Sequence, residues 1–275
     1  MLWYPLRLDK DSLHLIVLMK DVPDIEKVKF NLETMRIDRS SAPNEINPFD
    51  LHALEEAVRL KEKYGGVVTA ISMGPPMAEK SLREALARGA DRAILLSDRR
   101  FAGSDTLATS YTLACAIRKL ESYDLILTGE KTVDGDTGQV GPEVAEHLGI
   151  PNVPYVIKIQ EISGGYVIAE SMLDSEIVVY RSTLPALISV TKDINFPRIP
   201  TLRDKIKARK VEVTIWKADD LSECSQEMFG FRGSPTNVAR VDFPTIEGRR
   251  GVRIDGDPDT CVEKLLKYLS EEGVI

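Results

Sequence analysis

Residues 128–149, TGEKTVDGDTGQVGPEVAEHLG, hold the chain's densest set of groups able to bind a small molecule. An apolar run leads into a loop of Gly, Asp and Thr, and the loop leads into a helical pattern. Peptide N–H groups around Gly138, Gln139 and Val140 are therefore predicted to open a helix without intrahelical partners. Those amides and the helix dipole favour an anion such as a phosphate or pyrophosphate; the alternative is a solvated turn. Neither G-x-x-x-x-G-K-[ST] nor G-x-G-x-x-G is spelled, so the usual ATPase and dinucleotide fingerprints do not apply. Asp134 and Asp136 would repel a phosphate beside them. In such a site they accept loop amides or ribose hydroxyls, or hold a cation.

Two further segments carry groups suited to the same ligand. The long connection Asp21 to Phe49 delivers Asn47-Pro48-Phe49-Asp50 to the start of a helix, and long loops of this kind often carry function. Ser72-Met73-Gly74-Pro75-Pro76 follows an apolar run, with Gly74 permitting close backbone approach and Met73 offering an adaptable apolar contact. Cys115, Cys224, Cys261 and the three histidines make no C-x-x-C or C-x-x-H pairing, which predicts inert, unpaired thiols, no metal site and a fold that needs no disulfide. No nucleophile, base and orienting group cluster near the loop, so no catalytic residue is assigned.

A basic stretch, 198–210, sets Arg198, Arg203, Lys205, Lys207, Arg209 and Lys210 against Asp204 alone, in a chain of formal charge -7. With no interleaved aromatics and an overall acidic balance, nucleic acid is disfavoured. The stretch suits steering of an acidic protein partner, or else a solvated face.

The elements that position these groups alternate. HLIVLM (14–19), VVTAISM (67–73), RAILL (92–96) and DLILTG (124–129) read as buried strands. Between them, helices are predicted from Phe49 to Tyr64, Met77 to Arg88, Ser104 or Asp105 to Leu120, and Gly138 to Gly149. Asn47 fits an N-cap, Pro48 the first turn, and Asp50 the acceptor of a capping box. This order predicts an α/β fold: a doubly wound, mainly parallel sheet with a ligand crevice at the carboxyl ends of its strands. After Pro151, VPYVIKIQEI, YVIAESML and EIVVYR alternate as antiparallel strands that extend the sheet. A nucleotide-binding domain is thus expected over 1–218 and a C-terminal arm over 219–275, ending in a helix from Pro258 to Ser270. The arm holds Met228, Phe229, Phe231 and Phe243, and reads equally as a loosely packed tail or as an ordered arm on the surface of another subunit. The apolar run Leu13 to Met19 is too short to span a bilayer, so a soluble cytoplasmic protein without membrane insertion is expected.

Several separated motifs, in order, resemble the beta subunit of electron transfer flavoprotein: VLMKDVPD (17–24), NPFDLHALEEAVRLKE (47–62), ISMGP (71–75), LREALARGADRAILL (82–96), VDGDTGQVGP (133–142), TLPALISVTKDINFPRIPTLRDKIKARK (183–210) and GSPTNV (233–238). MLWYPLRLDK lies outside the shared pattern, as a local extension. The resemblance implies an adenine-nucleotide-binding fold paired with an alpha subunit in a heterodimer. It implies that Leu18, Asn47, Pro48, Phe49, Asp50, Met73 and the segment Gly129, Glu130, Lys131, Thr132, Val133, Asp134, Gly135, Asp136, Thr137, Gly138, Gln139 and Val140 surround the ligand. Glu130 stands where relatives commonly carry a positive charge, with Lys131 beside it as the substitute. The spelling of 133–142, with Gly135 where the housekeeping type usually has an acid, is similar to the electron-bifurcating type. That type holds FAD here and takes electrons from NADH. The housekeeping alternative binds structural AMP and shuttles electrons from acyl-CoA-type dehydrogenases. Leu202 would anchor a partner flavin dehydrogenase, with Arg198, Arg203, Lys205 and Lys207 as steering charges; ferredoxin or flavodoxin and a quinone reductase are the implied acceptors. An alternative from another class is a non-redox ATP-binding stress or signalling module on the same fold.

Overall fold

The computed structural model describes residues 12–24, 29–31, 36–38, 43–236 and 251–275. The N-terminal extension, much of the 21–49 connection, the end of the GSPTNV motif, Phe243 and Gly248 lie outside these residues. Nine strands form one sheet: β1 (Leu13–Met19), β2 (Gly66–Met73), β3 (Arg92–Leu96), β4 (Leu125–Gly129), β5 (Asn152–Ser163), β6 (Tyr166–Leu173), β7 (Glu176–Thr183), β8 (Ala186–Val190) and β9 (Val213–Trp216). Across the sheet they run β7-β6-β5-β8-β4-β1-β2-β3-β9. The pairings from β5 through β8 to β9 are parallel, and β5, β6 and β7 pair antiparallel, as expected of an extension of the same sheet.

Helices α1 (Pro48–Tyr64), α2 (Glu79–Ala87), α3 (Thr106–Arg118) and α4 (Val140–Leu148) join the parallel strands. Alternate side chains divide the core in two, because successive residues of a strand face opposite sides. Leu15, Val17, Val68, Ala70, Leu95 and Leu127 meet Leu54, Ala57 and Val58 of α1 and Leu82 of α2. Ile16, Leu18, Ile71, Ile94 and Ile126 meet Leu113 and Ile117 of α3 and Val144 of α4. The sheet is therefore covered on both faces, and successive crossovers from β1 run one way to β3 and the other way to β4. The gap between β1 and β4 is the topological switch point, where open α/β sheets take ligands.

Three features depart from the sequence reading. Strands β8 and β9 had no predicted counterpart, and β8, buried along its whole length, inserts between β4 and β5. Cys115 of α3 and Cys224 are disulfide-bonded, with Cα atoms 6.2 Å apart, while Cys261 is free; the thiols meet because the chain after β9 returns across α3. That same return keeps much of the expected arm on the main unit. Phe229 is buried with its ring edge-on to Phe101, centroids 5.3 Å apart, and the compact unit extends to Asn237. The second unit, Val238–Ile275, holds helix α6 (Pro258–Glu271), whose N-cap Asp257 accepts from the Thr260 amide at 3.0 Å.

Candidate functional site

The carboxyl ends of β1, β2, β3 and β4 open into a cavity of about 1100 Å³. Leu18 and Lys20 border it from β1, Met73 to Pro76 from β2, Ser97 to Asp105 from the loop after β3, and Thr128 to Thr132 from β4. Gly135 and the run Thr137 to Gly141 close the side nearest α4.

The start of α1 decides where the 129–133 loop lies. Asn47 is fully buried and is the N-cap residue, but its side chain does not cap its own helix. Its Nδ2 donates to the Lys131 carbonyl at 2.9 Å, and its Oδ1 accepts from the Val133 amide at 3.2 Å. Asp50 behaves alike. Oδ2 accepts from the Lys20 amide at 2.8 Å and Oδ1 from the Gly129 amide at 3.1 Å, so one carboxyl ties the ends of the neighbouring strands β1 and β4. The capping box expected at this helix is therefore absent: both side chains bond across the switch point instead. Burial pushes the Asp50 carboxyl up to about 7, against the amide and Asn47 hydrogen bonds that favour its charge. Gly129 is required where it stands, because a Cβ there would lie 2.6 Å from both Asp50 Oδ1 and Phe49 Cβ.

Asp134 and Asp136 accept from ammonium groups. Lys20 Nζ contacts both Asp134 oxygens, at 2.7 and 2.8 Å, and Lys131 Nζ lies 2.8 Å from Asp136 Oδ1. Burial alone would raise the Asp134 carboxyl, yet Lys20 draws it below the ordinary Asp value. Both aspartates of the loop are thus partnered, which lowers their repulsion toward an anion. Burial raises the Glu130 carboxyl, although Lys131 opposes the shift.

The loop turns through Asp136 at φ 54° and Gly138 at φ 63°, both left-handed. Gln139 precedes α4 without a side-chain cap, leaving the amides of the first turn to another partner. Beneath them the Thr128 hydroxyl is buried with no hydrogen-bond partner, and a Cβ on Gly141 would approach it to 3.0 Å. An uncapped helix start, an unsatisfied hydroxyl and a glycine that keeps the floor open fit the phosphate end of a nucleotide.

Of the expected ligand residues, Leu18, Asp50, Met73, Gly129, Glu130, Lys131, Thr132, Gly135, Thr137, Gly138, Gln139 and Val140 border the cavity. Asn47, Pro48, Phe49, Val133, Asp134 and Asp136 do not line it. The opposite wall, Ser97 to Thr109, was not singled out from the sequence. Arg100 clamps it, bonding Asp98 at 2.7 Å and Asp219 at 2.7 Å, and these bonds from Arg100 hold the Asp98 carboxyl far below its ordinary value. Asp105 caps α3 through the Ala108 amide at 3.0 Å and accepts from Thr236 Oγ1 at 2.8 Å. The available signal was positional: in a parallel sheet, the loop after β3 must emerge at the same edge as the others.

The basic stretch folds as helix α5 (Leu202–Ala208), with a capping box between Thr201 and Asp204. Leu202 is 75% exposed. Arg203, Lys205 and Lys207 make no ion pair among the described residues, whereas Arg198 is held by Glu55 and Glu62 of α1.

The profile of the electron transfer flavoprotein domain family matches residues 34–221, most of the chain, including the cavity-facing ends of β2, β3 and β4. The chain belongs to the electron transfer flavoprotein family. It is 44% identical over 264 residues to the electron transfer flavoprotein subunit beta of Thermoanaerobacterium thermosaccharolyticum, covering 96% of this chain and 100% of that relative. The corresponding beta subunit of Clostridium acetobutylicum is 42% identical over 96% of this chain and 100% of its own length. Protein FixA of Azorhizobium caulinodans is 43% identical, over 88% and 89% respectively. Among the described residues, no helix is long and apolar enough to cross a membrane.

Proposed function

We propose that this chain is the beta subunit of a heterodimeric electron transfer flavoprotein, and that its switch-point cavity holds FAD. In this reading the assembled pair takes electrons from NADH and divides them between a high-potential and a low-potential acceptor. The observation that carries the reading is the reach of the cavity. Its volume of about 1100 Å³ runs from the uncapped start of α4 to the far wall built by the β3–α3 loop, slightly above the ~300–1000 Å³ of ordinary small-molecule pockets. A mononucleotide would engage mainly the first wall, whereas a dinucleotide spans both.

Bound FAD supplies the redox chemistry; the chain binds and orients it. Amides at the start of α4 receive the diphosphate. Leu18 and Met73 offer apolar contact to a flat ring, Asn47 and Asp50 fix the loop, and Lys20 and Lys131 neutralise the loop's acids. No side chain serves as acid or base. Leu202 anchors a flavin dehydrogenase, with the free cations of α5 steering it, while ferredoxin or flavodoxin and a quinone reductase act as acceptors. Helix α6, with Val262, Leu265 and Leu266 exposed, suits burial on the alpha subunit.

A cofactor census of the co-expressed pair tests this reading. Two FAD per heterodimer, no AMP, and bleaching of the flavin by NADH are expected. One FAD with one AMP would overturn bifurcation and leave the AMP-binding form. A flavin-free homodimer that hydrolyses ATP would overturn both.

A further inference from the structure

Between the sheet and α5 runs Asn195-Phe196-Pro197-Arg198-Ile199-Pro200-Thr201-Leu202, with no helix or strand before Leu202. Proline at 197 and 200 fixes two φ angles near −65° and drives the residue before each into extended conformations. A chain of that kind repeats every three residues. Side chains at 195, 198 and 201 then share one edge, and those at 196, 199 and 202 another.

The contacts follow that period. On the inner edge Asn195 is buried, its Nδ2 donating to Glu56 Oε2 at 3.0 Å and to the His52 carbonyl at 3.0 Å. Arg198 makes a double fork. Its guanidinium reaches Glu55 at 2.8 and 3.2 Å and Glu62 at 2.6 and 3.0 Å, while its carbonyl accepts from Arg88 at 2.6 Å. Thr201 caps α5. On the outer edge Phe196 is 90% exposed, Ile199 87% and Leu202 75%. Ile206, one turn beyond Leu202 on α5, is also exposed, and so extends the row. An aromatic and three aliphatic side chains left in water at one place are unusual outside a binding surface.

We infer that Phe196, Ile199 and Leu202 form a single docking ridge for a partner protein, and that Arg198 is the positioning residue that holds this ridge against α1 rather than a charge that steers the partner. The inference rests on the docking reading given above for Leu202. The occupant is a flavin dehydrogenase presenting an apolar groove rimmed by carboxylates. Charge complementarity argues for that rim: Arg203, Lys205, Lys207, Arg209 and Lys210 flank the ridge and make no ion pair among the described residues, with Asp204 the one acid in their run. Arg198 cannot share in that attraction, because both sides of its fork already face carboxylates of its own chain.

The test uses the complex with the alpha subunit and an acyl-CoA dehydrogenase as redox partner, with electron exchange followed both from the acyl-CoA-reduced dehydrogenase into the complex and from the NADH-reduced complex into the dehydrogenase. Phe196→Ala and Ile199→Ala should each raise the KM for the dehydrogenase about tenfold, as truncation of a central apolar anchor does, without changing amide exchange over 195–201. Arg198→Gln should raise KM more than it lowers kcat, and should speed amide exchange over 195–201. Combined with Phe196→Ala, it should add less than its single effect. Arg203→Gln should instead lower the association rate and flatten its salt dependence. If Leu202→Ala raises KM while Phe196→Ala and Ile199→Ala do not, the ridge is wrong and docking at Leu202 stands. If Arg198→Gln behaves like Arg203→Gln and leaves amide exchange unchanged, the positioning role is wrong. If no variant changes KM, or the wild-type complex exchanges no electrons with this dehydrogenase in either direction, the docking reading falls and the inference with it.

Discussion

Asp50 gives the cavity a dependence on pH that one substitution can isolate. The carboxyl is almost wholly buried and is pushed from the ordinary Asp value of 3.8 up to about 7. The folded protein therefore holds a proton that the unfolded chain releases between those values. Stability is highest where both forms are protonated, and it falls as pH rises until the folded carboxyl ionises. At ~1.4 kcal/mol for each pH unit of separation, the whole loss is roughly 4 kcal/mol, of which roughly 2–3 kcal/mol falls between pH 5 and 8. Asp50→Asn removes this titration. It also turns an NH₂ toward either the Lys20 or the Gly129 amide, leaving one buried N–H without an acceptor at a cost of about 1–3 kcal/mol. The variant should be the less stable protein at pH 5, with the gap closing or reversing by pH 8. The assay is the thermal unfolding midpoint of the complex with the alpha subunit across that range. At ~2 °C for each kcal/mol in a chain of this size, the midpoint difference should move by roughly 5 °C. Parallel curves would show that the amide bonds to the carboxylate offset its burial, and the reasoning would be wrong.

Other perturbations reach the same wall. Gly129→Ala brings a Cβ to 2.6 Å from Asp50 Oδ1 and Phe49 Cβ; overpacking of about 1–3 kcal/mol is expected, read as a lower unfolding midpoint and lost nucleotide, and full nucleotide content would count against it. Gly138→Val puts a branched residue at φ 63°, a strain of about 1–2 kcal/mol, and should release bound nucleotide roughly tenfold faster in a filter-retention assay; equal retention would move the phosphate elsewhere. Lys20→Met frees the Asp134 carboxylate beside the loop and should weaken nucleotide retention severalfold at low salt. Adding Asp134→Asn should recover most of that loss, and simple additivity of the two changes would refute the charge argument.

How much of this was legible varied with the kind of interaction. The first four parallel strands and the helices after them followed from apolar runs and period, since buried parallel strands are continuous hydrophobic segments. Strand β8, Ala186–Val190, was hidden because it follows the antiparallel strand β7 directly, with no helix between them to mark the return to the parallel part of the sheet. Helix α5 was masked by its charge, although Thr201 and Asp204 carry a capping-box spacing. At α1 the same logic misled: Asn47 and Asp50 match the local cap, yet their side chains bond residues about 80 positions away. The disulfide could not be read from spacing either, since Cys115 and Cys224 are 109 positions apart. In the site, the glycine-rich loop stood out by composition, whereas the wall after β3 is ordinary in composition and functional by location.

Helix α1 touches both the switch-point cavity and the proline-spaced segment 195–202. Its first turn grips the strand ends at the cavity through Asp50, and its later turns grip the proline-spaced ladder through Glu55 and Glu62. Five residues to Glu55 and twelve to Glu62, at 1.5 Å each, set these grips roughly 8 to 18 Å from Asp50 along a rod that cannot stretch. The helix therefore works as a ruler between the cavity and the exposed ridge. Inserting or deleting one residue would change that length only slightly, but would swing one end by about a quarter of a turn relative to the other, so the spacing is guarded by rotation more than by distance.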